Sequence, residues 1–197
     1  PVAILLSRQQ RILAINTAHE LIHKDGRLEP VTGGLLLASV GYHGFKIEHL
    51  RGHHVHVSTP EDASSARFGQ SLWHFLPRAL WRNTGNAWRL EAERLQGKGL
   101  PALHWRNELL AWTAAWLAMA AAFTLWLGPV GLAFFLLQGL FAASSLEVIN
   151  YIEHYGLERR IGADGRYERT THLHSWNSDF ALSNLLLFQL QRHSDHH

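Results

Sequence analysis

The sequence contains no cysteine among its 197 residues. Within this chain, disulfides, zinc–thiolate sites, iron–sulfur clusters and thiol catalysis are therefore excluded. Charge is also scarce, because Asp, Glu, Lys and Arg make up 17% of the residues, against roughly 25% in a typical soluble domain. The formal net charge of +2 is too small to indicate a nucleic-acid partner, and we expect none.

The lack of charge is concentrated in one stretch. Residues 109–146, 38 in all, include no Asp, Glu, Lys, Arg or His. Gly128 and Pro129 divide the stretch into halves of about 19 residues, and a helix of that length spans about 28 Å, close to the thickness of a bilayer core. We therefore predict a transmembrane helical hairpin within residues 107–149. The alternative is a buried hairpin inside a large soluble protein.

The basic residues flank this stretch on both sides. All 18 Lys and Arg lie outside it, 13 before it and 5 after it. Because positive residues mark the cytoplasmic side of a membrane protein, we expect both flanks to be cytoplasmic. The predicted fold is an all-α integral membrane helical bundle with a transmembrane hairpin.

Outside the hairpin, hydrophobic spacing and turn residues predict further helices and loops. We expect a helix in residues 1–24, a second helix within 31–57 and a turn followed by a helix start in 58–72. A basic, Trp-containing segment at 77–106 is expected at the membrane surface, an irregular loop or short hairpin at 158–172, and a last helix at 178–197.

The chain has 15 histidines, and nine of them fall in four clusters. Spacings of three or four residues place two imidazoles on one face of a helix, and several such faces can surround metal ions inside a bundle. Imidazole binds Fe, Zn, Cu and Ni, so the ligand type does not select the metal. Nine ligands are too many for one ion with an open position and fit two. The clustered residues are His19, His23, His49, His53, His54, His154, His193, His196 and His197.

An acidic residue stands beside a histidine in every cluster. Carboxylates that accept the second ring N–H of a ligand would offset the metal charge and fix the tautomer. The alternative is an ordinary solvated or helix-capping carboxylate. The candidates for this outer role are Glu20, Glu48, Glu153 and Asp195, with His174 as a further pocket residue.

These segments resemble the histidine boxes of the membrane alkane 1-monooxygenases. Residues 16–24 (NTAHELIHK) are similar to the first box, and residues 48–54 (EHLRGHH) with 59–62 (TPED) are similar to the second. Residues 150–157 (NYIEHYGL) resemble the HYG motif of that family. Residues 174–178 (HSWNS) and 190–197 (LQRHSDHH) resemble the region of the third box.

The resemblance implies two non-haem irons bound by the nine clustered histidines, with no catalytic side chain beyond these ligands. It implies O2 as co-substrate, terminal hydroxylation of medium- or long-chain n-alkanes to 1-alkanols, and electrons from rubredoxin and its NAD(P)H-dependent reductase. The expected location is the bacterial inner membrane, multi-pass, with the di-metal site on the cytoplasmic side.

On this interpretation residues 1–197 form a single catalytic core that is part of a larger membrane enzyme. Residues 1–106 carry the first two boxes and the interfacial segment, 107–149 the hairpin, and 150–197 the HYG motif and third box.

Rival functions share some of these signals. A fatty-acyl desaturase, a xylene monooxygenase or an epoxidase would use similar histidine boxes. Residues 19–23 also fit the HExxH pattern of a zinc metalloprotease, with Glu20 as general base, although that reading leaves most clustered histidines unexplained. A metal transporter is a non-enzymatic alternative. Transport sites usually lie near the bilayer midplane, whereas every clustered histidine lies outside the predicted hairpin.

Overall fold

The computed structural model describes residues 15–178. Within that range the chain is helical and forms no β-strand, with one isolated bridge between Ile161 and Tyr167. The all-helical prediction is confirmed for this part of the protein. The helices are α1 (15–22), α2 (Glu29–Ser39), α3 (Gly44–Glu48), α4 (His54–His56), α5 (Leu72–Gln96) and α6 (Glu108–His154), with a π-helical turn at His49–His53 and a 3₁₀ turn at His172–His174.

Helix α6 contains the uncharged stretch and is long and apolar enough to cross a membrane. It begins where the Asn107 side chain accepts hydrogen bonds from the backbone N–H groups of the next turn. At Gly128 the backbone leaves helical geometry, with φ 65° and ψ −156°. The rings of Phe123 and Phe135 lie 5.2 Å apart, although 12 residues of straight helix would separate them by about 18 Å. The two halves of α6 therefore pack against each other beside the bend.

Helix α6 continues past the predicted hairpin and ends at His154, the first residue of the HYG motif. Its second half packs closely on the end of α2. A Cβ added to Gly139 would lie 2.5 Å from the carbonyl oxygen of Val40, and the Gln138 side chain donates to the Ser39 carbonyl at 2.9 Å. A buried apolar cluster joins α1, α2, α3 and α6. It includes Ile15, Ile22, Leu37, Phe45 and Leu146.

Helix α5 begins at Leu72, at the end of the range 58–72 in which a helix start was predicted. The turn predicted at 58–62 is present, but the chain stays irregular until Ser71, whose hydroxyl accepts from the His74 N–H. Asp62 does not cap a helix there, because its carboxylate accepts from Ser64 N–H and from a histidine of the second box. The predicted interfacial segment 77–106 therefore consists mainly of the C-terminal part of this helix. The predicted helix 178–197 lies outside the described residues except for its first residue.

The C-terminal half of α5 is tied to its neighbours by Glu91, a carboxylate with no exposed side-chain surface. Arg94 donates to it through two nitrogens at 2.7 and 2.6 Å. The backbone N–H of Glu108, at the start of α6, donates at 2.8 Å, and Arg51 donates at 2.9 Å from the π-helical turn. One buried charge therefore joins three segments that are distant in sequence.

The role of Glu91 predicts a stability that depends on pH. Burial by itself would raise the pKa of Glu91, but the bonds from Arg94, Glu108 N–H and Arg51 lower it to about 2 from an ordinary value of 4.5. Because the folded pKa is the lower one, the stabilisation is complete above about pH 5 and is lost as the pH falls from about 4.5 towards 2. Glu91→Gln should lower the free energy of unfolding by about 3 kcal/mol at pH 7.

Chemical denaturation of the detergent-solubilised protein between pH 7 and pH 3 measures this effect. The difference between wild type and Glu91→Gln should shrink below about pH 4.5. Glu93→Gln is the matched control, because Glu93 lies on the same helix in an exposed pair with Arg89 and should cost less than about 1 kcal/mol. A Glu91→Gln deficit as large at pH 3 as at pH 7 would contradict the assignment.

Candidate metal centre

Helix α1 and the residue directly after it supply the first two histidines of the centre. Their spacing of four residues places His19 and His23 on one side of the helix, with ring centroids 5.1 Å apart. His19 is buried by the apolar packing of α1. Its Nε2 lies 2.8 Å from Nε2 of His49, which comes from the second box. The ring nitrogens of two boxes therefore converge on the same point.

The second box is held in a π-helical turn, His49–His53, that connects α3 to α4. A π-helical turn has one residue more than an α-helical turn and is frequent at functional sites. His54 follows this turn directly, and its Nε2 lies 3.1 Å from Nε2 of His49. The rings of His54 and His23 are 4.9 Å apart, so the second box closes on both histidines of the first.

His53 and His154 form a second group beside the first. Their ring centroids are 4.9 Å apart, and both side chains are wholly buried. On its outer side, His53 Nδ1 hydrogen-bonds Asp62 Oδ2 at 3.0 Å. His154 Nδ1 donates to the backbone carbonyl of His174, also at 3.0 Å. Each ring is therefore fixed through Nδ1, which leaves Nε2 on the inner side, towards the other imidazoles.

All six clustered histidines in the described part of the chain lie in one continuous cluster. Three of them, His19, His23 and His49, bring ligand atoms within 4.8 Å of one another, close enough for one metal ion. His193, His196, His197 and Asp195, the remaining predicted site residues, lie outside the described residues.

Burial favours the neutral form of the imidazoles of His19, His23 and His49. It lowers the pKa of His19 and of His49, and burial together with the charge of His19 lowers the pKa of His23 to about 4. Neutral imidazole is the form that binds metal. At His53 burial acts in the same direction, but the Asp62 carboxylate outweighs it and raises the pKa. Converging neutral nitrogens with a buried outer carboxylate are a donor set that fits divalent metal ions.

Sequence reasoning missed Asp62. The carboxylate accepts hydrogen bonds from the Ser65 hydroxyl at 2.5 Å and the Ser64 N–H at 2.9 Å, in addition to its bond with His53. Asp62 belongs to the TPED motif of the second-box resemblance, but that resemblance gives it no role. It follows His53 by nine residues across an irregular loop. No helical spacing links the two side chains, so only the folded chain reveals the pair.

The predicted outer carboxylates differ in their exposure to solvent. Glu20 is partly exposed, with Oε1 3.6 Å from His19 Nδ1. Glu48 and Glu153 are both buried, and the charge of Glu48 acts on His53. His174 acts through its backbone, since its carbonyl accepts from His154, while its own Nδ1 accepts from the Thr171 N–H. An outer role for these side chains stays a prediction.

Asp62 gives a sharp test of the outer contacts. Asp62→Asn keeps the size of the side chain but removes the charge that orients His53, and such changes weaken metal binding about 10- to 100-fold. Metal retained during dialysis against a chelator measures the effect. Asp164→Asn is the matched control, because this exposed loop carboxylate accepts only from a neighbouring backbone N–H. Equal metal retention in the two variants would show that Asp62 does not support the centre.

An apolar helix long enough to cross a membrane, together with a cluster of six histidines of which four are buried, defines a helical, histidine-rich metal-binding protein. The chain belongs to the fatty acid desaturase family, whose model matches residues 1–197. Membership in this family, together with six converging imidazoles, leaves the HExxH protease reading without support, since catalytic zinc sites use three protein ligands.

Comparison with curated proteins confirms the resemblance to alkane 1-monooxygenases. Alkane 1-monooxygenase 2 of Pseudomonas aeruginosa is 64% identical over 185 residues, which are 94% of this chain and 49% of that protein. Alkane 1-monooxygenase 2 of Alcanivorax borkumensis is 60% identical over 186 residues, again 94% of this chain and 49% of that protein. The xylene/toluene monooxygenase hydroxylase component of Pseudomonas putida is 27% identical over 180 residues, 91% of this chain and 47% of that protein. The chain spans about half the length of these relatives.

Proposed function

We propose that the chain is the catalytic core of a membrane-bound non-haem di-iron monooxygenase that converts n-alkanes to 1-alkanols. The observation that carries this proposal is the convergence of six imidazoles, four of them buried, from the first two histidine boxes and the HYG motif, in a chain similar to alkane 1-monooxygenases. The overall reaction consumes one alkane, one O2, two electrons and two protons, and it releases one alcohol and one water. We propose that rubredoxin supplies the electrons and is itself reduced by an NAD(P)H-dependent reductase.

Two groups of histidines would hold the two irons. His19, His23, His49 and His54 form one group, and His53 and His154 form the other. The third-box residues His193, His196 and His197 would complete the set of nine. When bound, the irons would supply the O2 activation that acid–base side chains cannot provide for a strong C–H bond.

The side chains around the histidines have the task of holding the ligands and excluding water. Phe45, which is buried, stacks its ring on His49 with centroids 4.6 Å apart and forms an apolar wall. Tyr42 stacks on Phe45 at 5.6 Å. Tyr42 also lines a cavity of about 210 Å³ between α5, α6 and the residues that follow α2, together with Trp116 and Phe135. We propose that this apolar cavity belongs to the path along which an alkane reaches the centre.

We propose that α6 is a transmembrane hairpin whose two ends lie on the cytoplasmic side. The approach of Phe123 to Phe135 across the Gly128 bend supports a reversal of the chain, and the placement of all Lys and Arg outside residues 109–146 supports the orientation. A reporter fused after Arg159 in the complete protein is expected to be cytoplasmic. A periplasmic signal would overturn this topology.

The experiment that tests the function combines metal analysis with product analysis on the full-length protein. Elemental analysis and Mössbauer spectroscopy of iron-57-enriched material should give about two irons per chain. Purified protein with rubredoxin, its reductase and NADH should convert an n-alkane to the 1-alkanol with 18-oxygen from labelled O2. One zinc and no iron would refute the oxygenase proposal.

A second candidate is desaturation, because the matching family model carries the name fatty acid desaturase. A desaturase would also bind iron and consume O2, so metal content does not separate the two. The product does: an acyl substrate that gains a double bond without incorporating labelled oxygen would favour desaturation. The identities of 60% and 64% to alkane 1-monooxygenases favour hydroxylation.

A further inference from the structure

Arg51 lies inside the π-helical turn, between the proposed ligands His49 and His53. Its side chain points away from the histidines and is 38% exposed. The guanidinium crosses to α5 and donates to Glu91 Oε2 at 2.9 Å. The second histidine box is therefore attached to a helix that carries no proposed iron ligand.

Glu91 is a firm anchor for this attachment, because other groups hold it independently of Arg51. Arg94 donates to both of its carboxylate oxygens, and the N–H of Glu108 donates to Oε1. With its side chain wholly buried and bonded on several sides, the carboxylate has a fixed position. Any segment bonded to Glu91 therefore takes its position from α5 and from the start of α6.

A second contact attaches the same turn to α5. A Cβ added to Gly52 would lie 3.2 Å from Cδ1 of Leu90, the residue before Glu91. The π-helical turn thus packs on α5 through its backbone at Gly52 and bonds to it through Arg51. Because π-helical turns have poorer intrinsic stability than α-helix and occur as single turns, contacts of this kind are what we expect to maintain one.

We infer that Glu91 and Arg51 are positioning residues for the metal centre. The pair keeps the second box in its π-helical register and thereby sets where the imidazoles of His49 and His53 stand relative to the first box. Neither residue touches the substrate or the metal, and the inference rests on the proposed function in so far as the histidine cluster binds iron.

The test uses Arg51→Gln in the full-length protein. Because Arg51 is partly exposed, this variant should fold, with an unfolding midpoint close to that of the wild type. Iron retention in competition with a chelator should fall about 10-fold, the lower end of the effect of outer contacts on metal sites. The Mössbauer quadrupole splitting of the bound iron should also shift, because the ligand geometry changes. Arg51→Lys keeps one charged donor and should restore part of both signals.

Two matched variants separate positioning from general stability. Arg94→Gln leaves the bond between Arg51 and Glu91 in place but removes two bonds to Glu91 and the bond to the Arg106 carbonyl, so it should lower the unfolding midpoint and change the Mössbauer spectrum less than Arg51→Gln does. Arg89→Gln, in the exposed pair with Glu93 on the same helix, should change neither. A spectrum and iron retention identical in Arg51→Gln and wild type would overturn the inference, whereas a wild-type protein that binds no iron would instead overturn the proposed function.

Discussion

Replacing His49 with alanine is expected to remove iron from the protein and to lower alkane hydroxylation more than about 100-fold, beyond the effect of losing an outer contact. His49 lies at the centre of the cluster, since its Nε2 is 2.8 Å from Nε2 of His19 and 3.1 Å from Nε2 of His54. The substitution therefore removes the ring nitrogen that approaches a histidine of the first box and another of the second. The measurements are the iron content per chain and the rate of alkane hydroxylation, both on the purified full-length protein.

The control for this variant is His43→Ala. His43 precedes His49 by six residues, and its Nε2 bonds the Thr113 hydroxyl at 3.0 Å instead of a histidine. This change should cost about 1 kcal/mol of stability and leave the iron content unchanged. If His49→Ala kept two irons and wild-type turnover, the cluster would not be the metal centre.

A single methyl group at Gly139 is expected to disturb the packing of α2 on α6. The added Cβ would meet the Val40 carbonyl oxygen at 2.5 Å, and a backbone atom at the end of a packed helix cannot rotate away as a flexible side chain would. Overpacking of this kind costs about 1–3 kcal/mol. Gly139→Ala should therefore lower the unfolding midpoint in detergent and, through α2 and the following turn, loosen the second box.

Gly85→Ala is the opposite case on a neighbouring helix. Gly85 lies in α5 with no atom within 4 Å of its added Cβ, and alanine is favoured over glycine in a helix by up to about 1 kcal/mol. This variant should raise the unfolding midpoint.

The close approach of α2 and α6 would be refuted by a Gly139→Ala protein at least as stable as wild type.

The features that the sequence predicted correctly depend on residues that are close together in the chain. The 38 uncharged residues predicted a helix long and apolar enough to cross a membrane, and Gly128 with Pro129 predicted the break in it. The four-residue spacing of His19 and His23 predicted one shared helix face. The resemblance of the motifs to the histidine boxes predicted that the clustered histidines share one metal site.

The features that sequence reasoning missed join residues that are far apart in the chain. The Asp62 bond to His53 crosses an irregular loop, and the His174 carbonyl reaches His154 over 20 residues. Arg51 and Glu91 are 40 residues apart. Helical periodicity carries no signal for such pairs, since their geometry is determined only when the helices pack. The spacing in the second box also assumed an α-helix, whereas the structure has a π-helical turn.

That turn has a consequence for how the gene can change. Deletion of one codon within residues 49–53 would leave one residue too few for the π-helical turn, and an α-helical turn of the remaining residues would change the relative directions of the His49 and His53 imidazoles. The number of residues between these two histidines is therefore part of the geometry of the site. The exposed loop around Gly165, in contrast, carries no proposed ligand, so it can lengthen or shorten without changing that spacing.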